Sequence, residues 1–520
     1  MTTAGYTLIQ ADVVRWLRGN EWQVQNGFMP KYHAVLSDAP YGIAFMNKKW
    51  DTLSSPQAFQ AWVTEWGRLL LSFVYPGAVG LFFGGDRTHH RLTAGLEDAG
   101  WEIATTMVYM YGSGFPKGLD LSKAIDRTTA VPCPQCMGAG FLVIAGKTPG
   151  DYERAQCDKC EGTGRVIGAE REVVGVSQYA DKGRRIDNRV YGQSTPSDSE
   201  FVTAPATPDA ERWQGYNVAL KPAYEAIVLA RAPRDGTYAQ CATRYGTSAL
   251  NVDGCRIGVD DNEPNKRRDT GGHTQREEPE HIYGKGLYNS TRPATLTAGR
   301  WPANVILDDV AAAMLDEMSA GQRCDKPSAS GGYGLPMNSM YAPGVRLTDA
   351  VYYDSGGASR FFYTAKADAF ERTAGLTHLP PTNVNDGRES SIDNPYQRGD
   401  TLRRCTHPTM KPLKLTEYLA RLILPPPLNE PRRLLVPFSG VASEMIGARL
   451  AGWDHVTGIE LSSEYIPQAE ARLRWWSGFT SYEQARAAYA ADRGEQEQRA
   501  DEAAQGVQQL GLFAQEARTG

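Results

Sequence analysis

The chain has 520 residues and a formal net charge of −5, from 55 lysines and arginines against 60 aspartates and glutamates. That length exceeds one ordinary hydrophobic core, so two or three domains are expected. The near-balanced charge gives no global pull towards a polyanion, so any contact with nucleic acid must come from local basic clusters. No apolar run is long enough to span a bilayer, no secretory leader follows Met1, and the eight cysteines are few for the length, which points to a reducing, cytoplasmic setting.

Residues 1–111 read as α/β. The apolar run Ala34-Val35-Leu36 is a short strand that opens, after one serine, into Asp38-Ala39-Pro40-Tyr41. A carboxylate, a backbone carbonyl and a ring then stand at a strand's carboxyl end, where open α/β sheets place their ligands. An exocyclic amine on a nucleobase needs such a trio. Its lone pair is delocalised into the base unless Asp38 and the carbonyl of Ala39 accept its two hydrogens, and Tyr41 can stack on a base taken out of the duplex. A turn with an Asx cap and a packed tyrosine is the competing reading. A helix from Ala58 to Leu71, a strand from Ala78 to Phe83, a helix after Asp86 and a strand from Thr105 to Tyr111 follow; His89-His90 read as a helix start rather than a metal site.

The next strand, Glu225 to Ala230 within 225–233, comes only after a long interruption over 112–224. An insertion of that length is expected to fold separately. At its centre, over 133–164, stands the repeat Cys133-Pro-Gln-Cys136-Met-Gly138-Ala-Gly140 and Cys157-Asp-Lys-Cys160-Glu-Gly162-Thr-Gly164. Two such knuckles can give four thiolates to one structural Zn2+, with a disulfide pair as the bland alternative. The repeat resembles the zinc modules of J-domain co-chaperones. Cys241, Cys255, Cys324 and Cys405 show no ligand spacing.

Residues 234–404 are rich in Gly, Asn, Asp and Arg with interspersed rings. Arg256, Lys266-Arg267-Arg268, Arg292, Arg300-Trp301-Pro302, Arg360-Phe361-Phe362-Tyr363 and Lys366 offer cations for phosphates and base edges, although any one of them is more simply a solvated loop residue. Within 405–480, the apolar strand around Leu434-Leu435-Val436 runs through Pro437-Phe438-Ser439-Gly440-Val441-Ala442-Ser443-Glu444 into a helical stretch, and His455 to Glu460 is a second strand ending in an acid. This is a nucleotide-binding βαβ plan with Glu460 set to bind ribose hydroxyls. The turn is too poor in glycine for a dinucleotide phosphate, and a neutral nucleoside such as that of S-adenosylmethionine suits it better.

Together the tetrapeptide and the turn resemble the amino-DNA methyltransferases, which methylate adenine N6 or cytosine N4. With the tetrapeptide first and the cofactor turn near the end, the order resembles the permuted β group, in a phage- or prophage-like member of a bacterial host or phage-infected cell. His407-Pro408-Thr409-Met410-Lys411-Pro412, before the helical run from Leu413 to Leu424, resembles the segment lining the methionine end of the cofactor, and Asp12, within Ala11 to Leu17, resembles an acid that accepts from its adenine amine. The resemblance implies a Rossmann-like sheet in permuted order and S-adenosylmethionine held by Asp12, Thr409, Lys411, Phe438, Gly440, Ser443, Glu444 and Glu460. It further implies catalysis by Asp38, Ala39, Pro40 and Tyr41, an antiparallel hairpin for the last two strands, and a target-recognition region over 234–404 that contacts double-stranded DNA.

Ala39 replaces the family's first proline, and Val436 and Ala442 replace an acid and a glycine of the cofactor turn. The acid at position 38 favours adenine N6, because family members acting on cytosine more often carry serine there. Cytosine N4 is the runner-up, and a zinc-containing DNA-binding protein with a decayed methylase core is the non-enzymatic alternative. No phosphate loop, helicase-like segment or tandem of metal-binding carboxylates is evident, so within restriction-modification the chain reads as the modification partner without a nuclease. The tail, 481–520, carries Gln509-Leu510-Gly511-Leu512-Phe513, which resembles the peptide that docks on the bacterial polymerase sliding clamp, with a frayed amphipathic helix as the plainer reading.

Overall fold

Successive apolar residues of the central strands point to opposite faces, as a pleated strand requires. Leu434 and Val436 join one buried cluster and Leu435 the other; Ala34 and Leu36 part from Val35 in the same way. Runs buried on both faces belong to a parallel sheet covered by helices on each side. The computed structural model describes residues 2–3, 5–43, 51–112, 118–145, 152–169, 171–176, 201–258, 299–319, 357–365, 369–384 and 401–493. Gln509–Phe513, Lys266-Arg267-Arg268, Arg292, Lys366 and Cys324 lie outside them.

The described strands form a ten-stranded sheet in the order Thr2–Thr3, Tyr6–Gln10, His455–Glu460, Arg433–Pro437, Tyr32–Ser37, Val74–Gly84, Tyr224–Arg231, Glu102–Met110, Val305–Asp308 and Tyr363–Ala365. Tyr224–Arg231 is antiparallel to both neighbours, with Tyr224 opposite Met110 and Ala226 opposite Gly84. The antiparallel hairpin expected of the last two core strands is therefore present, and its connection carries the long insertion. Pairing from Tyr6–Gln10 through Val74–Gly84 is parallel throughout.

The helices Val13–Gln25, Pro56–Phe73 and His89–Ala99 cover one face through Leu17, Val63, Trp66, Leu70, Leu92 and Leu96. Leu413–Leu422, Ser443–Ala451 and Ile466–Trp476 cover the other through Leu415, Leu419, Met445, Ile446 and Leu473. Each such aliphatic side chain removed from water contributes about 1.5–3 kcal/mol. Ser55 caps the second helix by accepting from the amide of Ala58 at 3.1 Å, and Pro56 follows in its first turn. Leu413–Leu422 stops two residues short of the expected Leu424, ahead of a run of prolines that cannot continue a helix.

From Arg433–Pro437 the chain crosses by the helix Ser443–Ala451 to the strand on one side; from Tyr32–Ser37 it crosses by the helix Pro56–Phe73 to the strand on the other. The crossovers diverge between these adjacent parallel strands, so the loops at their carboxyl ends part and leave a crevice at a topological switch point. The tetrapeptide leaves one strand and the small-residue turn leaves the other.

Four strands of the sheet have no counterpart in the sequence reading: Thr2–Thr3, Tyr6–Gln10, Val305–Asp308 and Tyr363–Ala365. The last two come from 234–404 and extend the sheet itself. Gly114–Ala223 together with Asn383–Leu402 makes a second compact unit. Within it Asp126 accepts from Arg171, from the hydroxyl of Thr207 at 2.7 Å and from the amide of Ala206 at 3.0 Å.

Candidate functional site

Asp38 follows Tyr32–Ser37 directly, and the serine before it donates its hydroxyl to the carbonyl of Pro437 at 3.3 Å, tying the two strand ends together. The hydroxyl of Tyr41 donates to Asp38 Oδ1 at 3.0 Å. Lys411 reaches Asp38 Oδ2 at 3.1 Å, Glu225 Oε2 at 3.2 Å and the Tyr41 oxygen at 3.0 Å, which occupies the three donors of its ammonium. The same ammonium lies 4.8 Å from the ring centroid of Phe83. The sequence reading set Lys411 at the methionine end of a cofactor; the structure sets it on the carboxylate of Asp38.

Glu225 was read only as the start of an apolar strand. Its signal was available: it shares a face with Ile227 and Leu229, both buried, so an acid there must find a partner. Burial raises the pKa of Asp38, Lys411 opposes that rise, and Glu225 adds to it. Burial works against the charge of Lys411, but Asp38 and Glu225 outweigh it and hold the ammonium well above its ordinary range. Burial and the two carboxylates push the Tyr41 phenol well above its usual value, so it stays a donor.

Across the crevice the turn after Arg433–Pro437 is held in left-handed backbone at Phe438, Gly440 and Ala442, with φ of 60°, 51° and 67°. Only glycine adopts this conformation without cost, and a methyl there carries about 1–2 kcal/mol of strain at Ala442. Glu460, 8 % exposed, holds the turn. It accepts the amide of Gly440 at 2.8 Å on one oxygen and that of Ser462 at 2.7 Å on the other, while burial raises its pKa against those two bonds. Beneath the turn the buried guanidinium of Arg472, absent from the sequence reading, donates to the carbonyl of Val441 and to Ser443 Oγ at 3.2 Å. The ring of Phe438 packs on Trp62 and Trp66.

Glu444, in the first helical turn after this loop, is buried; that burial, with the charge of Asp38, raises its pKa to about 7. His407 packs on Gly440, where an added Cβ would meet its Nε2 at 3.0 Å, and against the ring of Tyr465. Thr409 is exposed. Asp12 caps the helix Val13–Gln25 by accepting the amide of Arg15 at 2.8 Å, and it stands beside the strand of Glu460, whose carbonyl accepts the amide of Ala11.

Four of the basic and aromatic residues singled out within 234–404, Arg300, Trp301, Arg360 and Phe361, are not brought to this crevice. Arg300 and Trp301 precede Val305–Asp308, and Arg360 and Phe361 precede Tyr363–Ala365, so they lie at the amino ends of strands whose carboxyl ends align with Met110 and Tyr224. There Arg256 stacks over Trp301, and Arg300 and Arg360 over Phe361. Tyr363 is stacked on Tyr418 at 3.9 Å.

In the second unit the two knuckles are near copies. The amides of Gly138 and Gly162 donate to the carbonyls of Cys133 and Cys157, and those of Ala139 and Thr163 to the carbonyls of Cys136 and Cys160. Met137 and Glu161 take left-handed φ of 48° and 50°. Each knuckle then passes its end to the other: Cys133 donates to Gly164 and Cys157 to Gly140, an approach so close that a Cβ on Gly164 would stand 2.3 Å from the carbonyl of Gly138. The four sulfurs converge within 4.8 Å, with Cys133 to Cys157 at 3.8 Å and Cys136 to Cys160 at 3.7 Å. Tetrahedral zinc with bonds of about 2.3 Å requires sulfurs about 3.8 Å apart. None of the four is disulfide-bonded, so the donor set fits Zn2+ and the disulfide alternative falls.

No protein-family model matches the chain, and no curated protein matches it. Among solved structures, M1.HpyAVI is 9 % identical, with 90 % of this chain and 98 % of that one covered at a TM-score of 0.32. An M1.HpyAVI-SAM complex gives 9 % identity, 90 % and 98 % coverage and a TM-score of 0.30. The cytosine-N4-specific PvuII DNA methyltransferase gives 9 % identity, 91 % and 87 % coverage and 0.35. At such scores the fold rests on the chain's own strand order and the chemistry on its own residues.

Proposed function

We propose that the chain is an S-adenosylmethionine-dependent, site-specific DNA methyltransferase acting on adenine N6. One observation carries this reading: an acid followed by Ala-Pro-Tyr and a small-residue turn closed by a ribose-type acid leave adjacent parallel strands at the switch point of one sheet. S-adenosylmethionine, when bound, supplies a methyl group on a sulfonium. The crevice residues do the rest. Asp38 and the carbonyl of Ala39 accept the hydrogens of the base amine, Tyr41 offers a ring to the extruded base, and the buried surroundings exclude water. The turn from Phe438 to Glu444 and the acid Glu460 hold the nucleoside, with Asp12 and Thr409 completing the cofactor side and Lys411 held by the Asp38 carboxylate.

The deciding experiment offers methyl-labelled S-adenosylmethionine and duplex DNA to purified protein and separates the digested nucleosides. N6-methyladenine is expected; label in N4-methylcytosine moves the assignment to the other base, and no label together with no cofactor affinity establishes a decayed core. Long-read sequencing of DNA from expressing cells then gives the recognition site.

Glu460→Ala is expected to weaken cofactor affinity by about tenfold or more, on the order of 1–2 kcal/mol, since it leaves ribose hydroxyls unpaired and frees the amides of Gly440 and Ser462. The rate at saturating cofactor should change little, because the contact is alike before and during transfer. Unchanged affinity by calorimetry would remove Glu460 from the cofactor site.

A further inference from the structure

We infer that Glu225 is a positioning residue for methyl transfer: by sharing the ammonium of Lys411, it leaves Asp38 a strong acceptor for the base amine. The inference rests on the methyltransferase reading above and adds a residue that neither tetrapeptide nor turn contains.

A carboxylate paired with a lysine alone gives much of its charge to that lysine and accepts weakly from a neutral amine. Here Lys411 is buried and divided between two carboxylates, Asp38 at 3.1 Å and Glu225 at 3.2 Å, with the Tyr41 oxygen as third acceptor. Two acids and one ammonium leave the cluster one negative charge in excess, on the side of the crevice where an amine must donate. The arrangement depends on the antiparallel strand: Glu225 lies opposite Tyr109, one residue beyond the pairing of Ala226 with Gly84, so its side chain reaches past the end of Val74–Gly84. The charged or titratable groups facing Asp38 are Lys411 from the segment before the helix Leu413–Leu422, Tyr41 from its own loop, Glu225 from the returning strand and Glu444 from the helix after the cofactor turn. Glu225 and Glu444 both oppose the ionisation of Asp38, and Lys411 supports it.

The test is Glu225→Gln, which keeps shape and removes charge. Lys411 then pairs with Asp38 alone, so kcat should fall on the order of tenfold. The acid limb of the kcat profile should move to lower pH, because Asp38 loses a neighbouring negative charge and gains a fuller share of the ammonium. KM for DNA and affinity for S-adenosylmethionine should stay near wild type, and Glu225→Asp should recover part of the rate. A purely structural role would lower rate or stability without moving the acid limb. An unmoved limb in a Glu225→Gln protein that binds cofactor normally overturns the inference. If Glu225→Gln does not fold, Glu225→Asp decides: its shorter side chain loosens the hold on Lys411, so its limb must move in the same sense by less, and an unmoved limb again overturns it. Wild-type protein that methylates no DNA would instead defeat the reading on which the inference rests.

Discussion

Asp38→Ala is expected to lower the rate of methyl transfer more than about a hundredfold, on the order of 3 kcal/mol of transition-state stabilisation, while cofactor affinity stays nearly unchanged. In the proposed mechanism the carboxylate acts on the amine of the base, not on the sulfonium, so its loss falls on the chemical step. The fold should survive the change. Removing one partner of a buried ion pair usually strands the other charge at a cost of about 3–5 kcal/mol, but Lys411 retains Glu225 and the Tyr41 hydroxyl. Single-turnover methylation with calorimetry of cofactor binding gives the answer: near wild-type turnover by Asp38→Ala would discard the proposed mechanism. Tyr41→Phe separates two roles of that residue. Its ring remains for stacking while its bond to Asp38 is lost, so a mild effect assigns Tyr41 to base capture and a severe one assigns it to the orientation of Asp38.

The sequence was most legible where function and local structure coincide. The runs at Ala34–Leu36 and Leu434–Val436 are apolar on both faces, which marks buried parallel strands, and the residues following them carry chemistry that a turn does not need. Tyr6–Gln10 escaped notice because its alternation is brief and ends in polar residues, and Val305–Asp308 because four residues amid glycine, proline and arginine give no period. Distance along the chain concealed the charge cluster. Asp38, Glu225 and Lys411 are brought together only by a returning strand inserted between Val74–Gly84 and Glu102–Met110; local alternation says that Glu225 needs a partner but not which one. Composition offers the arginines at 300 and 360 for phosphates and base edges, or more simply as solvated loop residues, and only strand direction shows that they stand at the amino ends of their strands.

Purified protein is expected to contain one zinc per chain on Cys133, Cys136, Cys157 and Cys160, and Cys136→Ser with Cys160→Ser is expected to release it and unfold the module. The module has little else to hold it. Its buried cluster consists of the four cysteines with Leu142 and Val166 packed against them, while Met137, Val143, Ile144 and Ile167 are exposed. Apolar burial on that scale does not hold a module of this size by itself, whereas zinc in small four-ligand sites supplies roughly 10–16 kcal/mol of apparent binding energy at neutral pH. The ten-stranded sheet belongs to the other compact unit and buries its own helices on both faces, so its melting transition should persist. Metal analysis with calorimetric melting, before and after chelation, tests both halves. Full metal retention by the double variant would refute the four-thiolate site, and loss of the ten-stranded sheet's transition on chelation would show that the metal supports more than the module that binds it.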